Sequence, residues 1–164
     1  MKKIIFRIIL IFISMPLLSY GNTGVMTKSE SVNKLISAIW ANANYEVVPL
    51  LIDNNYTIFH DPGDSYEGKT LSNKMFIERL NIARKTFPDL NFKVLDIQES
   101  TDKVTAAWRM KGTFLGDLPQ IKANGNKINV TGITIYSFNN GKISGHWQEF
   151  DRATLYAQMS AKDE

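Results

Sequence analysis

From Val104 to Phe114 the chain alternates without a break. Val104, Ala106, Trp108, Met110, Gly112 and Phe114 share one parity, and Thr105, Arg109, Lys111 and Thr113 occupy the other. A period of two means a strand with one dry face and one wet face. Such a strand needs partners beside it and a layer over its dry face. The partners follow in order. Lys127 to Phe138 reads as another long strand. Asn139-Asn140-Gly141-Lys142 is a hairpin signal, because Asn-Gly accepts positive φ, and Ile143 to Phe150 is the last strand. Phe92 and Val94 open a strand upstream, where Asp96 breaks the face and marks an expected bulge. Leu115 to Asn126, with Pro119 and Gly125, reads as a loop.

The covering layer comes from the first half of the chain. Thr27-Lys28-Ser29-Glu30 has capping-box spacing, and Val32, Leu35, Ile36, Ile39 and Trp40 then form one helical face. A short second helix is expected over Tyr45 to Ile52, with Pro49 as an irregularity. Tyr56 to His60 reads as a brief strand stopped by the turn Asp61-Pro62-Gly63-Asp64. A third helix runs from about Leu71 to Thr86, burying Phe76, Leu80, Ala83 and Phe87. Helices followed by strands joined through tight turns define an α+β domain with an antiparallel meander. Trp108, Phe114, Tyr136, Phe138 and Trp147 are assigned to one sheet face. There they line a cone that is either filled core or a closed pocket.

Composition narrows the function classes. Met1-Lys2-Lys3, Arg7, an apolar run to Leu18 and small residues at Ser19 and Gly21 read as a secretory signal over residues 1–21. Counted from Ile4 to Leu18 that run is 15 residues, short of the roughly 20 a membrane span requires. Cleaved export, to periplasm or medium and without a stable membrane anchor, is therefore preferred over a retained anchor. Residues 22–30 then form a short linker and helix start, and residues 31–164 the domain. Loss of Lys2, Lys3 and Arg7 takes the formal net charge from +3 to 0, so nothing remains of the basic excess that nucleic-acid binding needs. The chain has no cysteine and two histidines, a poor donor set for zinc. Neither a Gly-x-Ser-x-Gly elbow nor a phosphate loop is present. The acidic loop of Asp61, Asp64 and Glu67 lacks calcium-loop spacing and reads as a solvated turn.

Seven landmarks in order resemble the SnoaL-like polyketide cyclases, also called ester cyclases, of the nuclear-transport-factor-2-like (NTF2-like) superfold. They are His60-Asp61-Pro62 with Gly68; Phe87-Pro88-Asp89-Leu90; Asp102-Lys103-Val104; Trp108 with Gly112-Thr113; Gly132; Asn140-Gly141-Lys142-Ile143; and His146-Trp147 with Asp151, Leu155 and Gln158. The resemblance spans roughly residues 32 to 159. It implies an NTF2-like cone with N-terminal helices packed on a curved antiparallel sheet, a homodimer as a frequent assembly, and a reaction without metal or organic cofactor.

It also implies roles. Asp151 would remove a proton α to a carbonyl, with His146 and His60 binding or polarising the substrate. Trp108, Phe114, Tyr136, Trp147 and Gln148 would line the pocket. A carboxylate becomes a useful base when burial raises its pKa, and donors fixed at the developing oxyanion lower the barrier. The residues themselves leave alternatives open. Asp151 stands where an N-cap of the last helix belongs. His146 and Asp151 have opposite strand parity, so both face one pocket only if a bulge or the strand end intervenes. Phe114 occupies a position where many relatives carry histidine, and the loop from Gly116 to Gly125 departs from the family pattern, which points to a different ligand. Three readings follow: a cofactor-free cyclase or isomerase acting on a small apolar carbonyl compound, a non-catalytic binder of a small hydrophobic molecule, and a filled cone that works as a dimer through its outer sheet face.

Overall fold

The computed structural model describes residues 26–162. The expected leader over residues 1–21 lies outside the described residues. Helix α1, Lys28–Lys34, opens with the capping box: Thr27 Oγ1 accepts from the Glu30 amide, and the Glu30 carboxylate accepts from the Thr27 amide. It continues as a π-helical stretch, Leu35–Ala41, that keeps Leu35, Ile36 and Ile39 buried and ends before Ala43, whose φ is 53°. The expected second helix is divided into a 3₁₀ turn, Tyr45–Val47, and a single α turn, α2, Val48–Leu51, with Pro49 in its first turn. Pro is tolerated there because that N–H has no helical partner.

Then come β1 (Ile52–His60), β2 (Thr70–Leu71), α3 (Asn73–Thr86), β3 (Asn91–Glu99), β4 (Lys103–Thr113), β5 (Lys127–Asn139), β6 (Lys142–Phe150) and α4 (Arg152–Ser160). The architecture is α+β, with the helices set on one face of a curved six-stranded sheet of order β2-β1-β6-β5-β4-β3. One feature departs from a pure meander. Strand β1 begins at Ile52 rather than Tyr56 and pairs with β6 in parallel. After the β5–β6 hairpin, β6 would be an open edge; β1 closes it and buries Ile52, Tyr56 and Ile58.

The inner sheet face carries Val104, Ala106, Trp108 and Met110 of β4 with Ile128, Val130 and Tyr136 of β5, all buried. Besides a register shift between Ile52 and Thr57 of β1, three irregularities decide what faces inward. A bulge falls between Val94 and Asp96, where the sequence marks it. In β6, Ser137 pairs with Gly145 and Phe138 with Ile143, so the register shifts at Ser144 and both Ile143 and His146 face inward. In β1 the register shifts between Ile58 and His60. Gly132 lies beneath the Trp108 indole, 2.4 Å from where a Cβ would stand, so only glycine admits the ring there.

Candidate functional site

Between α3, the 61–66 turn, the 115–126 loop and α4 the molecule opens into a cleft. Its outer part encloses about 520 Å³ and is walled by Trp40, Tyr66, Ile82, Leu118, Ile121 and Tyr156, among others. An inner recess of about 250 Å³ shares Trp40, Arg79, Ala83 and Tyr156 with it and reaches Phe92, Trp108, Gln148 and Phe150. The walls are mostly apolar and the polar groups converge at one end, the usual composition of a small-molecule site.

That polar end is built around Asp61, which is 2% exposed. Arg79 Nη2 donates to Asp61 Oδ2 at 2.7 Å, Gln148 Nε2 donates to the same oxygen at 3.2 Å, and Arg152 donates to Oδ1. Arg79 Nε also donates to Asp64 at 2.7 Å, and its guanidinium lies 5.3 Å from the Trp40 ring centre. A relay runs across the sheet: Trp108 Nε1 donates to Thr134 Oγ1 and Thr134 Oγ1 to Gln148 Oε1, both at 2.8 Å.

Behind Asp61 lies His146, 3% exposed, with Nε2 3.5 Å from Asp61 Oδ2 and Nδ1 2.6 Å from the Tyr56 hydroxyl. Burial lifts the Tyr56 pKa well above its ordinary value of 10.0, so the phenol keeps its proton and donates to Nδ1. The hydrogen bonding therefore assigns the ring proton to Nε2, which points at Asp61 without completing a hydrogen bond.

The charges are balanced. Burial pushes the Asp61 pKa up, but the contact with His146 and the charges of Arg79 and Arg152 outweigh it, so the carboxyl is held below its ordinary value. Burial lowers the His146 pKa, and the pull of Asp61 only partly opposes it. The recess thus contains two carboxylates, Asp61 and Asp64, two guanidiniums and, behind them, a neutral imidazole.

The expected residues separate into three groups. Trp108, Gln148 and, one layer back, His146 belong to the cleft. Phe114 and Tyr136 are core, Phe114 fully buried 5.9 Å from the Phe87 ring and Tyr136 5% exposed with its pKa pushed up to about 12 by burial. His60, Trp147 and Asp151 lie outside. Trp147 pairs with Ile135 while His146 pairs with the inward Tyr136, so Trp147 faces solvent and is 51% exposed. The shift in β1 turns His60 outward onto Trp147, with ring centres 4.4 Å apart, and turns Asp61 inward. His60 then lies between Glu149 at 2.7 Å and Glu67 at 3.2 Å.

Asp151 is exposed and caps α4. Its carboxylate accepts from the Thr154 hydroxyl at 2.6 Å and the Thr154 amide at 2.9 Å, and these bonds lower its pKa. This is the opposite of the buried, raised carboxyl that an acid/base role requires. The β6 bulge lies on the N-terminal side of His146 and leaves the parity of the 146–151 segment unaltered. Sequence reading missed Asp61, Arg79 and Arg152. The sequence pattern places Asp61 in a solvated turn, and the available signal for the others is an arginine on the mostly apolar stripe of α3, at position 79 between Phe76 and Leu80.

The mouth is clasped to the C-terminal helix. Asn126 Nδ2 donates to the carbonyls of Gln158 and Ala161, and Asn124 Nδ2 to that of Met159, so loop side chains satisfy the last carbonyls of α4. Gly116 sits against Lys85, where a Cβ would lie 2.1 Å from the carbonyl oxygen, and its amide donates to Thr86 at 3.1 Å, fixing the loop to the end of α3.

Comparison with known proteins agrees with this geometry. The sequence profile of the SnoaL-like polyketide cyclases matches residues 30–159. A crystal structure of a protein assigned as a polyketide cyclase from Acidithiobacillus ferrooxidans superposes with a TM-score of 0.75 at 31% identity, covering 83% of this chain and 96% of that one. IdmH of Streptomyces antibioticus (TM-score 0.70, 20% identity, 83% and 100% covered) and a SnoaL-like protein of Jannaschia sp. CCS1 (TM-score 0.72, 19% identity, 83% and 93% covered) share the fold. No curated protein matches the chain. The chain belongs to the SnoaL-like polyketide cyclase family.

Proposed function

We propose that the protein is exported and binds a small, largely apolar molecule in the cleft, with one hydrogen-bond acceptor such as a carbonyl oxygen turned toward Arg79, Arg152 and Gln148. One observation carries the reading. Asp61, a carboxylate of the inner recess, is held below its ordinary pKa and already accepts from three side chains. A carboxylate in that state is a poor proton abstractor. The guanidiniums retain unused N–H groups, including the buried, unpartnered Nε of Arg152. An unpaired buried donor is costly, and a ligand acceptor relieves that cost. Export is supported by the charged, then apolar, then small-residue pattern of residues 1–21.

Calorimetric titration with 2-acetylnaphthalene and 2-ethylnaphthalene tests the reading. A hydrogen bond to a charged donor contributes about 1.5–3 kcal/mol, so the ketone is expected to bind roughly tenfold to a hundredfold tighter. Arg152→Gln is expected to narrow the gap. Equal binding of the two probes, or a gap unchanged by that substitution, would refute the assignment of the polar end.

A catalytic use of the same cleft is favoured by the Tyr56–His146–Asp61 arrangement, a hydroxyl, an imidazole and a carboxylate in sequence behind the recess. Mass spectrometry of the molecule retained on purification, followed by its incubation with wild type and Asp61→Asn, separates the two uses. Product formed by wild type and lost in the variant indicates catalysis, and an unchanged molecule indicates binding.

A further inference from the structure

Thr134 is fully buried, yet it carries a hydroxyl into the inner sheet face beside Val130 and Tyr136. Its position on β5 gives that hydroxyl two partners. It stands opposite Gln148 of β6 on one side and Ala106 of β4 on the other, two residues before Trp108. Trp108 is paired with Gly132, which has no side chain to hold the indole away from β5. The ring therefore lies over β5, and its Nε1 reaches the diagonal neighbour Thr134. The resulting chain has its direction set at both ends. An indole N–H only donates, and an ionised carboxylate only accepts. Thr134 Oγ1 takes the Trp108 proton at 2.8 Å, so its own single proton goes to Gln148 Oε1, also at 2.8 Å. This bonding assigns the Gln148 nitrogen to the Asp61 end, where Nε2 donates to Oδ2 at 3.2 Å. A glutamine side chain is long and rotatable, and the bond to Thr134 removes its freedom to turn the carbonyl end into the recess it lines.

We propose that Thr134 is a positioning residue for the cleft, and that by holding the Gln148 amide with its nitrogen inward it makes the polar end select carbonyl ligands over alcohols of the same skeleton. The proposal rests on the binding reading given above and narrows its ligand class. A ketone oxygen accepts from Gln148 or a guanidinium and brings no proton of its own. A hydroxyl oxygen accepts the same bond but carries a proton that needs an acceptor. The neutral acceptor at hand, Gln148 Oε1, is turned to Thr134. The carboxylates are engaged as well, Asp61 by three side chains and Asp64 by Arg79 and the Tyr66 amide. An alcohol therefore leaves its proton unpaired or displaces one of these bonds, and either is costly in a buried recess.

Calorimetric titration with 2-acetylnaphthalene and the alcohol of the same skeleton, 1-(2-naphthyl)ethanol, tests it in the wild type, Thr134→Val and Thr134→Ser. The wild type is expected to favour the ketone roughly tenfold and the valine variant at most about threefold. Thr134→Ser keeps the hydroxyl and is expected to retain the wild-type ratio. Lost packing alone would weaken both probes together, so the ratio separates positioning from a merely structural role. A second measurement needs no substitution and decides the matter if the valine variant does not fold. By ¹⁵N relaxation the Gln148 side-chain amide of the wild type is expected to be rigid, with an order parameter of about 0.85. An order parameter below about 0.6 would overturn the proposal. So would equal binding of ketone and alcohol by the wild type, a ratio that Thr134→Val leaves unchanged, or a serine variant that behaves as the valine one. In each of those cases a ketone that still binds tighter than 2-ethylnaphthalene leaves the binding reading standing, whereas equal binding of those two probes ends both.

Discussion

The two histidines sit on neighbouring strands and each meets carboxylates and an aromatic ring, yet they occupy different worlds. His146 is 3% exposed, bonded to Tyr56 and backed by the Asp61–Arg79–Arg152 array. His60 stands on the other face of the sheet, stacked on an exposed tryptophan between Glu149 and Glu67. The contact lists are alike, and burial sets the consequences. In the interior each unpaired charge is expensive, so the groups form a balanced set that is costly to disturb. On the surface, water replaces any partner that is lost.

The sharpest test of that contrast removes one carboxylate from each cluster. Asp61→Ala takes from Arg152 its carboxylate partner and leaves Arg79 with Asp64 alone, and is expected to cost about 3–5 kcal/mol in urea unfolding. Glu149→Ala is expected to cost at most about 1 kcal/mol. Equal losses would break the comparison. Next in size is Gly132→Ala, which drives a methyl into Trp108 and Phe150 and is expected to cost about 1–3 kcal/mol and to lower probe affinity in the recess.

Acid should be felt through His146. Its folded pKa lies below the unfolded value of 6.5, so the unfolded chain takes up the proton first. Stability is then full above about 6.5 and falls as pH drops below it, by up to about 1.4 kcal/mol per pH unit for one proton. Asp61, also depressed, adds a separate loss that begins near its unfolded value of 3.8. Thermal unfolding between pH 7 and 5 should show the first loss, and His146→Gln should flatten it. The smallest effect belongs to Asp151. Asp151→Ala is expected to cost about 1 kcal/mol as a lost cap, while Asp151→Asn keeps the cap and leaves ligand affinity unchanged. A large drop in affinity with the asparagine variant would return that residue to the site.

The order of elements was legible because periodicity and turn chemistry are local. The β4 alternation, the Asn-Gly hairpin, the Asp96 bulge and the Thr27 capping box all appear where the residues put them. The site was less legible because its composition depends on two register shifts. Ser144 and the Ile58–His60 step each displace parity by one residue, which exchanges His60 for Asp61 and leaves Trp147 outside. Local alternation carries no record of such a step when pairing with a distant strand sets it. The parallel docking of β1 on β6 joins segments about ninety residues apart, a contact of the kind that sequence pattern does not reveal.

The asparagine clasp joining the 115–126 loop to the end of α4 makes the cleft's rim and the chain's tail one mechanical body. A chain that ended before Gln158 would lose the carbonyls that Asn124 and Asn126 hold, and with them the anchorage of Leu118 and Ile121 over the opening. In the proposed binding role, ligand retention would depend on the last few residues as much as on the recess. A fusion or truncation there would be read out as a change in how long a ligand stays bound.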